Sequence, residues 1–234
     1  MTVFFIVRGN FMDSLINAAV HFIEVSRDAA PTLILGLSTT LKVTCLSLIL
    51  ALIIGIFACL FGISKIKPLQ WITRFYIWLI RGTPMLVQGM YIFFAMPVLL
   101  NVKIDVFTAS LITLTLNAGA YISEIFRGAI ESVNKGQMEA ARSLGLPYSK
   151  AMIKIILPQA VRICLPSLVN QCIITLKDST ILYAIGLQEI MYYGKIYVGR
   201  TYETLATYTL IAVFFLVIIT LLSFVSKRIE RRLK

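Results

Sequence analysis

Long apolar blocks separated by short connections rich in Lys and Arg constrain this chain more than any other feature. The blocks are residues 33–63, 85–100, 106–126, 155–176 and 205–224. They are continuous rather than alternating with period two, and they suit the roughly 20 residues a helix needs to cross a ~30 Å hydrocarbon core. Hydrophobic residues make up 59% of the 234 residues and charged residues 14%, at a mean hydropathy of +0.87. A soluble domain of this size has too much surface to hide that apolar fraction. The expectation is an all-α membrane protein with about five transmembrane helices. The first block is over-long for one span, so its start is interfacial or tilted. Residues 69–80 carry Trp71, Arg74, Tyr76 and Trp78, and either lie at the membrane surface or extend the second span. The stretch 181–190 is too short to cross and is expected to dip or pack.

Residues 1–30 read differently. Phe11, Leu15, Ala18, Ala19, Phe22 and Ile23 fall near helical spacing, with Asp13, Asn17, Glu24 and Asp28 between them. That pattern predicts an amphipathic helix lying at an interface, with Pro31 and Thr32 opening the first long apolar run. The chain therefore divides into an interfacial segment, 1–30, and a transmembrane domain, 31–234. No compact apolar run followed by a small-residue cleavage site stands at the start, so no cleavable leader is expected and the first span acts as the insertion signal.

The formal net charge is +11. In a soluble protein that would suggest nucleic acid, but here the basic residues sit between apolar blocks, where membrane orientation accounts for them. The connections at 65–81, 127–162 and 227–234 hold more than twice the basic residues of the opposite side, which has Arg8, Arg27, Lys103, Lys177, Lys195 and Arg200. The richer side faces the cytoplasm, which puts the N-terminus outside and the C-terminus inside. Cys45, Cys59, Cys164 and Cys172 lie in apolar stretches without C-x-x-C spacing and read as buried free thiols. His21 is the only histidine and has no metal-ligand or triad companions in sequence, so no metal site and no catalytic residue is expected.

The largest polar interruption, residues 127–154, is long for a connector. Residues 137–144 read as a short helix, ended by Gly145, which accepts the left-handed backbone of a helix stop. Pro147 suits the first turn of a second short helix. Ala140 and Ala141 offer small side chains over which a partner could approach, as a peg for a groove on another protein. A capped surface helix without a partner is the plainer reading. The run Glu139-Ala140-Ala141, then Gly145, then Ile155-x-Leu157-Pro158 resembles the EAA signature of bacterial ABC importer permeases, with every element at the family spacing. Arg81-Gly82-Thr83-Pro84 with Gln88, Asn117-Ala118-Gly119-Ala120-Tyr121 with Glu124 and Arg127-Gly128-Ala129, and Lys177-Asp178-Ser179-Thr180 with Ile185-Gly186 and Glu189 are similar to the polar amino acid branch of that family. The resemblance runs from about residue 33 to the C-terminus. It implies a type I ABC importer transmembrane domain. It also implies two ATP-binding-cassette subunits, a second permease chain (identical or a sister) and an extracytoplasmic amino-acid-binding protein. Glu139, Ala140, Ala141 and Gly145 would dock into the ATPase subunit. The chain would bind no cofactor, ATP and Mg being used by the partner.

Polar groups in hydrocarbon are costly and mark functional candidates. Pro84 fits the first turn of a helix after a break, so Thr83 either caps the helix or lines a path. Asn117, Tyr121 and Glu124 share one helical face, which addresses a cavity or another polar helix. Lys177 and Asp178 either form a boundary ion pair or supply the two charges that a zwitterion needs, with Ser179 beside them. Lys42 snorkels or lies in the cavity. The substrate-binding candidates are thus Thr83, Gln88, Asn117, Tyr121, Glu124, Asp178 and Ser179. The chain has no G-x-x-x-x-G-K-[ST], so nucleotide hydrolysis must be supplied by another protein. About five spans without an inverted repeat count against a stand-alone ion-coupled carrier. A non-transporting scaffold would leave the Asn117–Glu124 stripe and the Lys177–Asp178 pair unexplained. The expected cargo is a polar amino acid, neutral or broad, such as cystine or glutamine.

Overall fold

The computed structural model describes Thr2–Leu233, and its side chains apart from those of residues 2–12, 15 and 229–233. Arg8, Phe11 and Leu15, and Arg231, Arg232 and Lys234, therefore lie outside the described side chains. Among the described residues the regular structure is entirely helical. Helix α1 (Thr2–Ile63) runs through Pro31 without interruption. Its apolar part, Ile16–Ile63, is about 70 Å long at 1.5 Å per residue, more than twice a ~30 Å core. The segment expected to lie separately at an interface is thus one helix with the first span. Asp28 Oδ2 accepts a hydrogen bond from the Tyr197 hydroxyl at 2.8 Å, His21 Nε2 lies 3.0 Å from Glu203 Oε2, and Ala29 and Leu33 are buried with Ile190 and Ile211. These contacts hold the helix along its neighbours, and a proline alone does not break it against them.

Helix α2 (Lys67–Gly82) meets α3 (Met85–Met90) at a bend of 108°. A π-turn, Tyr91–Ala95, and α4 (Met96–Leu100) continue the second arm. Residues 69–80 are therefore one arm of a broken unit, and with that unit the candidate spans number five. Helix α5 (Val106–Ser132) starts at Asp105, whose carboxylate accepts the Thr108 N–H at 3.0 Å. Then come α6 (Lys135–Ser143), α7 (Tyr148–Ala151), a π-turn (Met152–Ile156) and α8 (Leu157–Asp178). A 3₁₀ segment (Ser179–Ile185), α9 (Ile190–Thr201) and α10 (Thr204–Leu233) complete the chain. Each π-turn ends two residues before a proline, Pro97 or Pro158, which is the second residue of α4 or α8. The wider turn absorbs the carbonyl that a proline cannot bond.

Glycines set the central packing. A Cβ on Gly55 of α1 would stand 2.6 Å from Ile122 Cγ2 of α5, and one on Gly119 would stand 2.9 Å from the Tyr76 hydroxyl. Small residues at a crossing let membrane helices approach closely enough for dispersion to hold them. The short stretch after α8 packs, as expected: Leu182 and Ile185 join Val43, Ala109, Leu114 and Leu187 in one buried cluster. Helix α9 was not foreseen, because its tyrosines, glycines and single lysine give no clean apolar period.

Candidate functional site

The break between α2 and α3 is built by Thr83, Pro84 and Gln88. Thr83 and Pro84 are extended, at φ −121°, ψ 144° and φ −64°, ψ 138°. A residue before proline is driven out of the helical region, and Pro84 has no N–H for the Ile80 carbonyl four residues earlier. Gln88 repairs that loss. Its Nε2 lies 2.7 Å from the Ile80 carbonyl, 3.0 Å from the Thr83 carbonyl and 2.9 Å from the Thr83 hydroxyl. The Thr83 hydroxyl donates in turn to the Leu79 carbonyl at 2.8 Å. Gln88 Oε1 is left to accept from Asn117 Nδ2 of α5 at 3.2 Å, so the break and α5 are joined by side-chain amides.

Above this junction lies a cavity of about 370 Å³, lined by Thr83, Pro84, Met85, Asn117, Tyr121, Gln171, Ile174 and Asp178. It joins three separate stretches of chain: the break, the middle of α5 and the last turns of α8. Its volume falls at the lower end of the range for small-molecule sites. Four of the expected residues, Thr83, Asn117, Tyr121 and Asp178, line it together. Gln88 stands behind them as the amide that fixes Thr83 and Asn117. Among the described residues Asp178 has no hydrogen-bond or ion-pair partner, so its carboxylate is open to a ligand.

Two expected contacts are not in the cavity. Ser179 is fully buried and donates to the Leu176 carbonyl at 2.8 Å, satisfying the end of α8. Glu124 is turned away toward the α6 end of α5. Its Oε1 and Oε2 receive Arg127 Nε at 3.0 Å and Nη2 at 2.9 Å, and Arg81 Nη1 lies 3.4 Å from the same Oε2. Arg127 also reaches both Glu131 oxygens at 2.7 Å. Glu124 keeps the face of Asn117 and Tyr121 but lies about one turn further along α5, where Arg127, three residues on, claims its carboxylate. Lys177 is exposed and makes no ion pair with Asp178, its neighbour on a different face, and Lys42 is exposed on α1 away from the cavity. Sequence reasoning missed Gln171, which is 4% exposed with Nε2 3.3 Å from the Thr175 hydroxyl. The signal was present: Gln171 and Asp178 are two turns apart on one face of α8.

Glu189 serves a different purpose. It is fully buried, caps α9 by accepting the Tyr192 N–H at 2.8 Å, and leaves Oε2 without a partner. Burial pushes its carboxyl up to about 7, against the opposing pull of the Met191 and Tyr192 amides.

The 127–154 connection forms α6 and α7 as a bent pair. Asn134 caps α6 through the Gly136 N–H at 2.8 Å, and Gly145, at φ +83°, turns the chain left-handed at its end. The Leu146 N–H bonds the Ala141 carbonyl at 3.1 Å and the Leu144 N–H the Ala140 carbonyl at 3.1 Å. Glu139 and Ala140 are exposed, but Ala141 is buried against its own chain, so of the two alanines only Ala140 is offered outward. The i and i+1 positions of a helix cannot share a face. Leu144 is 84% exposed and was not foreseen; an apolar residue beside a helix-stop glycine is the signal that could have found it.

Comparisons with known proteins agree with this geometry. The arginine transport system permease protein ArtQ of Bacillus subtilis (strain 168) is 40% identical over 204 residues, covering 87% of this chain and 93% of that protein. The glutamine transport system permease protein GlnP of Escherichia coli (strain K12) is 41% identical over 214 residues, covering 88% and 94%. A solved structure described as an amino acid ABC transporter with histidines superposes with a TM-score of 0.86 at 37% identity, over 90% of this chain and 98% of that one. The MetNI methionine ABC transporter in an inward-facing conformation shares the fold, with a TM-score of 0.73 at 21% identity. Residues 47–234 match the family described as the binding-protein-dependent transport system inner membrane component. The chain belongs to that family: it is a multi-pass membrane protein and a non-catalytic ABC importer permease.

Proposed function

We propose that this chain carries a polar amino acid, neutral or broad in class (cystine- or glutamine-like), across a bacterial cytoplasmic membrane by alternating access. The observation that carries the reading is the cavity at the α2–α3 break, with the unpartnered Asp178 carboxylate set among the neutral polar groups Thr83, Asn117, Tyr121 and Gln171. An acid surrounded by amides and hydroxyls suits an α-ammonium with a hydrogen-bonding side chain. Two permease chains, identical or sister, work with two ATP-binding-cassette subunits that use ATP and Mg. An extracytoplasmic binding protein delivers the substrate. The face carrying α6 and α7 is cytoplasmic and docks the ATPase through Glu139, Ala140 and Gly145, with Ala141 bracing the docking helix from beneath. A second reading, a cationic amino acid, is favoured by Asp178 being the one charged residue of the lining and by the arginine permease among the relatives.

The test is ATP-driven uptake of a panel of labelled amino acids in proteoliposomes holding the permease, its ATPase and its binding protein. Uptake of one amino acid that is lost in both Asp178→Asn and Glu139→Lys supports the reading, and its identity separates the neutral from the cationic class. Uptake driven by a sodium or proton gradient without ATP would overturn it.

A further inference from the structure

The cavity contains an acid but no base. Every lining side chain other than Asp178 is uncharged. An α-amino acid is a zwitterion, and a carboxylate taken out of water without a cationic or multiply hydrogen-bonded partner is strongly disfavoured. The lining offers the ammonium a partner and leaves the carboxylate with neutral donors alone.

Arg81 is not in that lining but contacts one of its residues. Its guanidinium lies over the ring of Tyr121, 5.3 Å from the centroid, and Tyr121 is one of the residues that line the cavity. Thr83, two residues on from Arg81, lines the cavity too. The Arg81 side chain is half-exposed, and among the described residues its single ionic contact is the 3.4 Å approach to Glu124. That contact is dispensable to Glu124, whose two oxygens are already held at 3.0 and 2.9 Å by Arg127, itself anchored at 2.7 Å on Glu131. Arg127 is spent in two charge-assisted contacts, whereas Arg81 keeps the greater part of its planar fork free. Stacking on an aromatic ring holds a guanidinium in place while leaving its N–H edge available.

We infer that Arg81 receives the α-carboxylate of the transported amino acid, exchanging its long contact with Glu124 for a short bidentate one, while Asp178 takes the α-ammonium. This rests on the reading of the cavity as the substrate site. On this account Glu124 is not a substrate ligand. It is the parking partner of Arg81, and it neutralises that cation when the cavity is empty. Tyr121 sets the height at which the guanidinium meets the ligand. Specificity for α-amino acids over amines then resides in the α2 end of the break, and specificity for the side chain in Asn117 and Gln171.

The permease–ATPase complex in nanodiscs, without binding protein, separates the possibilities by equilibrium binding. Two pairs of probes differ only in the α-carboxylate: L-arginine with agmatine, and L-glutamine with 4-aminobutanamide. Wild type should bind the amino acid of the accepted pair more tightly than its decarboxylated amine. Arg81→Gln should weaken the amino acid by about tenfold or more and leave the amine unchanged, erasing the preference. Arg81→Lys keeps the charge without the fork and should recover part of it, which also separates lost recognition from lost folding. Asp178→Asn should weaken both members of a pair. If Arg81→Gln keeps the wild-type preference while Asp178→Asn loses both ligands, the cavity reading stands and the assignment of Arg81 is wrong. If Asp178→Asn also binds as wild type, the cavity is not the substrate site and the inference falls with it.

Discussion

The α6–α7 segment and the polar cavity differ in how their chemistry is left unfinished. Around the cavity several polar groups are answered inside the chain: Gln88 serves Ile80, Thr83 and Asn117, and Gln171 reaches the Thr175 hydroxyl. What is open there is the Asp178 carboxylate and the Tyr121 hydroxyl, with most of the Arg81 guanidinium free beside them. On α6 the backbone is answered by Asn134 and Gly145, while the side chains Glu139, Ala140 and Leu144 project outward. A buried cavity cannot leave many groups unpaired, because each costs about 1–3 kcal/mol. A surface segment can, because water or a partner answers them. On the proposed function, the first would select a small ligand and the second would receive another protein.

The largest expected effect breaks the comparison at Leu144. This side chain is almost wholly exposed, so Leu144→Asp should leave the permease's melting temperature and its ligand binding unchanged. An apolar anchor lost from a docking surface costs roughly 1–3 kcal/mol, so association with the ATPase and ATP-driven uptake should fall about fivefold or more. Uptake at wild-type level would mean that α6 and its glycine turn form a capped surface helix and nothing more.

Glu189 sharpens the other side of the comparison, since it is a buried carboxyl that no partner fully answers. Its pKa in the folded protein stands at about 7, above the value of an exposed carboxyl. A raised carboxyl pKa means that the folded chain holds its proton more tightly than the unfolded one. Stability is then greatest below about 4.3, falls as pH rises toward 7, and levels off above that. The loss is at most about 4 kcal/mol. Melting temperature in detergent should decline between pH 5 and pH 8, and Glu189→Gln, which keeps the acceptor for the Tyr192 N–H, should flatten that decline. An unchanged slope in the variant would assign it to other groups.

Much of this was legible in the sequence, for physical reasons that differ by region. The α6–α7 segment is local: a glycine at a helix stop and small residues act within a few turns, so its helix and stop could be read, though not that Ala141 is buried and Leu144 exposed. The cavity is assembled from residues 83–85, 117–121 and 171–178, and only the same-face rule within each helix was readable. That rule placed Asn117 with Tyr121 but carried Glu124 along with them, because sequence does not show that Arg127 one turn later would claim its carboxylate. Ser179 failed for a related reason: a hydroxyl at a helix end serves the nearest orphan carbonyl before it serves a ligand. The continuity of α1 through Pro31 depends on contacts with α9 and α10, more than 150 residues away, which no local pattern contains.

Gln88 tests whether the cavity is an internal construction. Gln88→Leu removes the donor that replaces the missing Pro84 N–H and leaves the Ile80 and Thr83 carbonyls unanswered. The expected cost is about 1–3 kcal/mol of stability, together with weaker ligand binding as Asn117 loses its anchor at Gln88 Oε1. Gln88→Glu keeps that acceptor but loses the amide donor. It should bind ligand better than Gln88→Leu only if the Asn117 anchor matters more than the break.

The smallest effect belongs to Gly145. Its φ of +83° is unfavourable for a side chain, yet a Cβ there would meet nothing within 4 Å. The penalty of Gly145→Ala is therefore one of backbone alone, about 1–2 kcal/mol. Asparagine tolerates the left-handed region better than alanine, so Gly145→Asn should cost less. Because the turn lies in the surface segment, this penalty should surface as reduced coupling to the ATPase, with the cavity's affinity for ligand intact. If Gly145→Ala weakened ligand binding as much as coupling, the turn and the cavity would be one mechanical unit, and the division drawn between a selecting interior and a receiving surface would have to be abandoned.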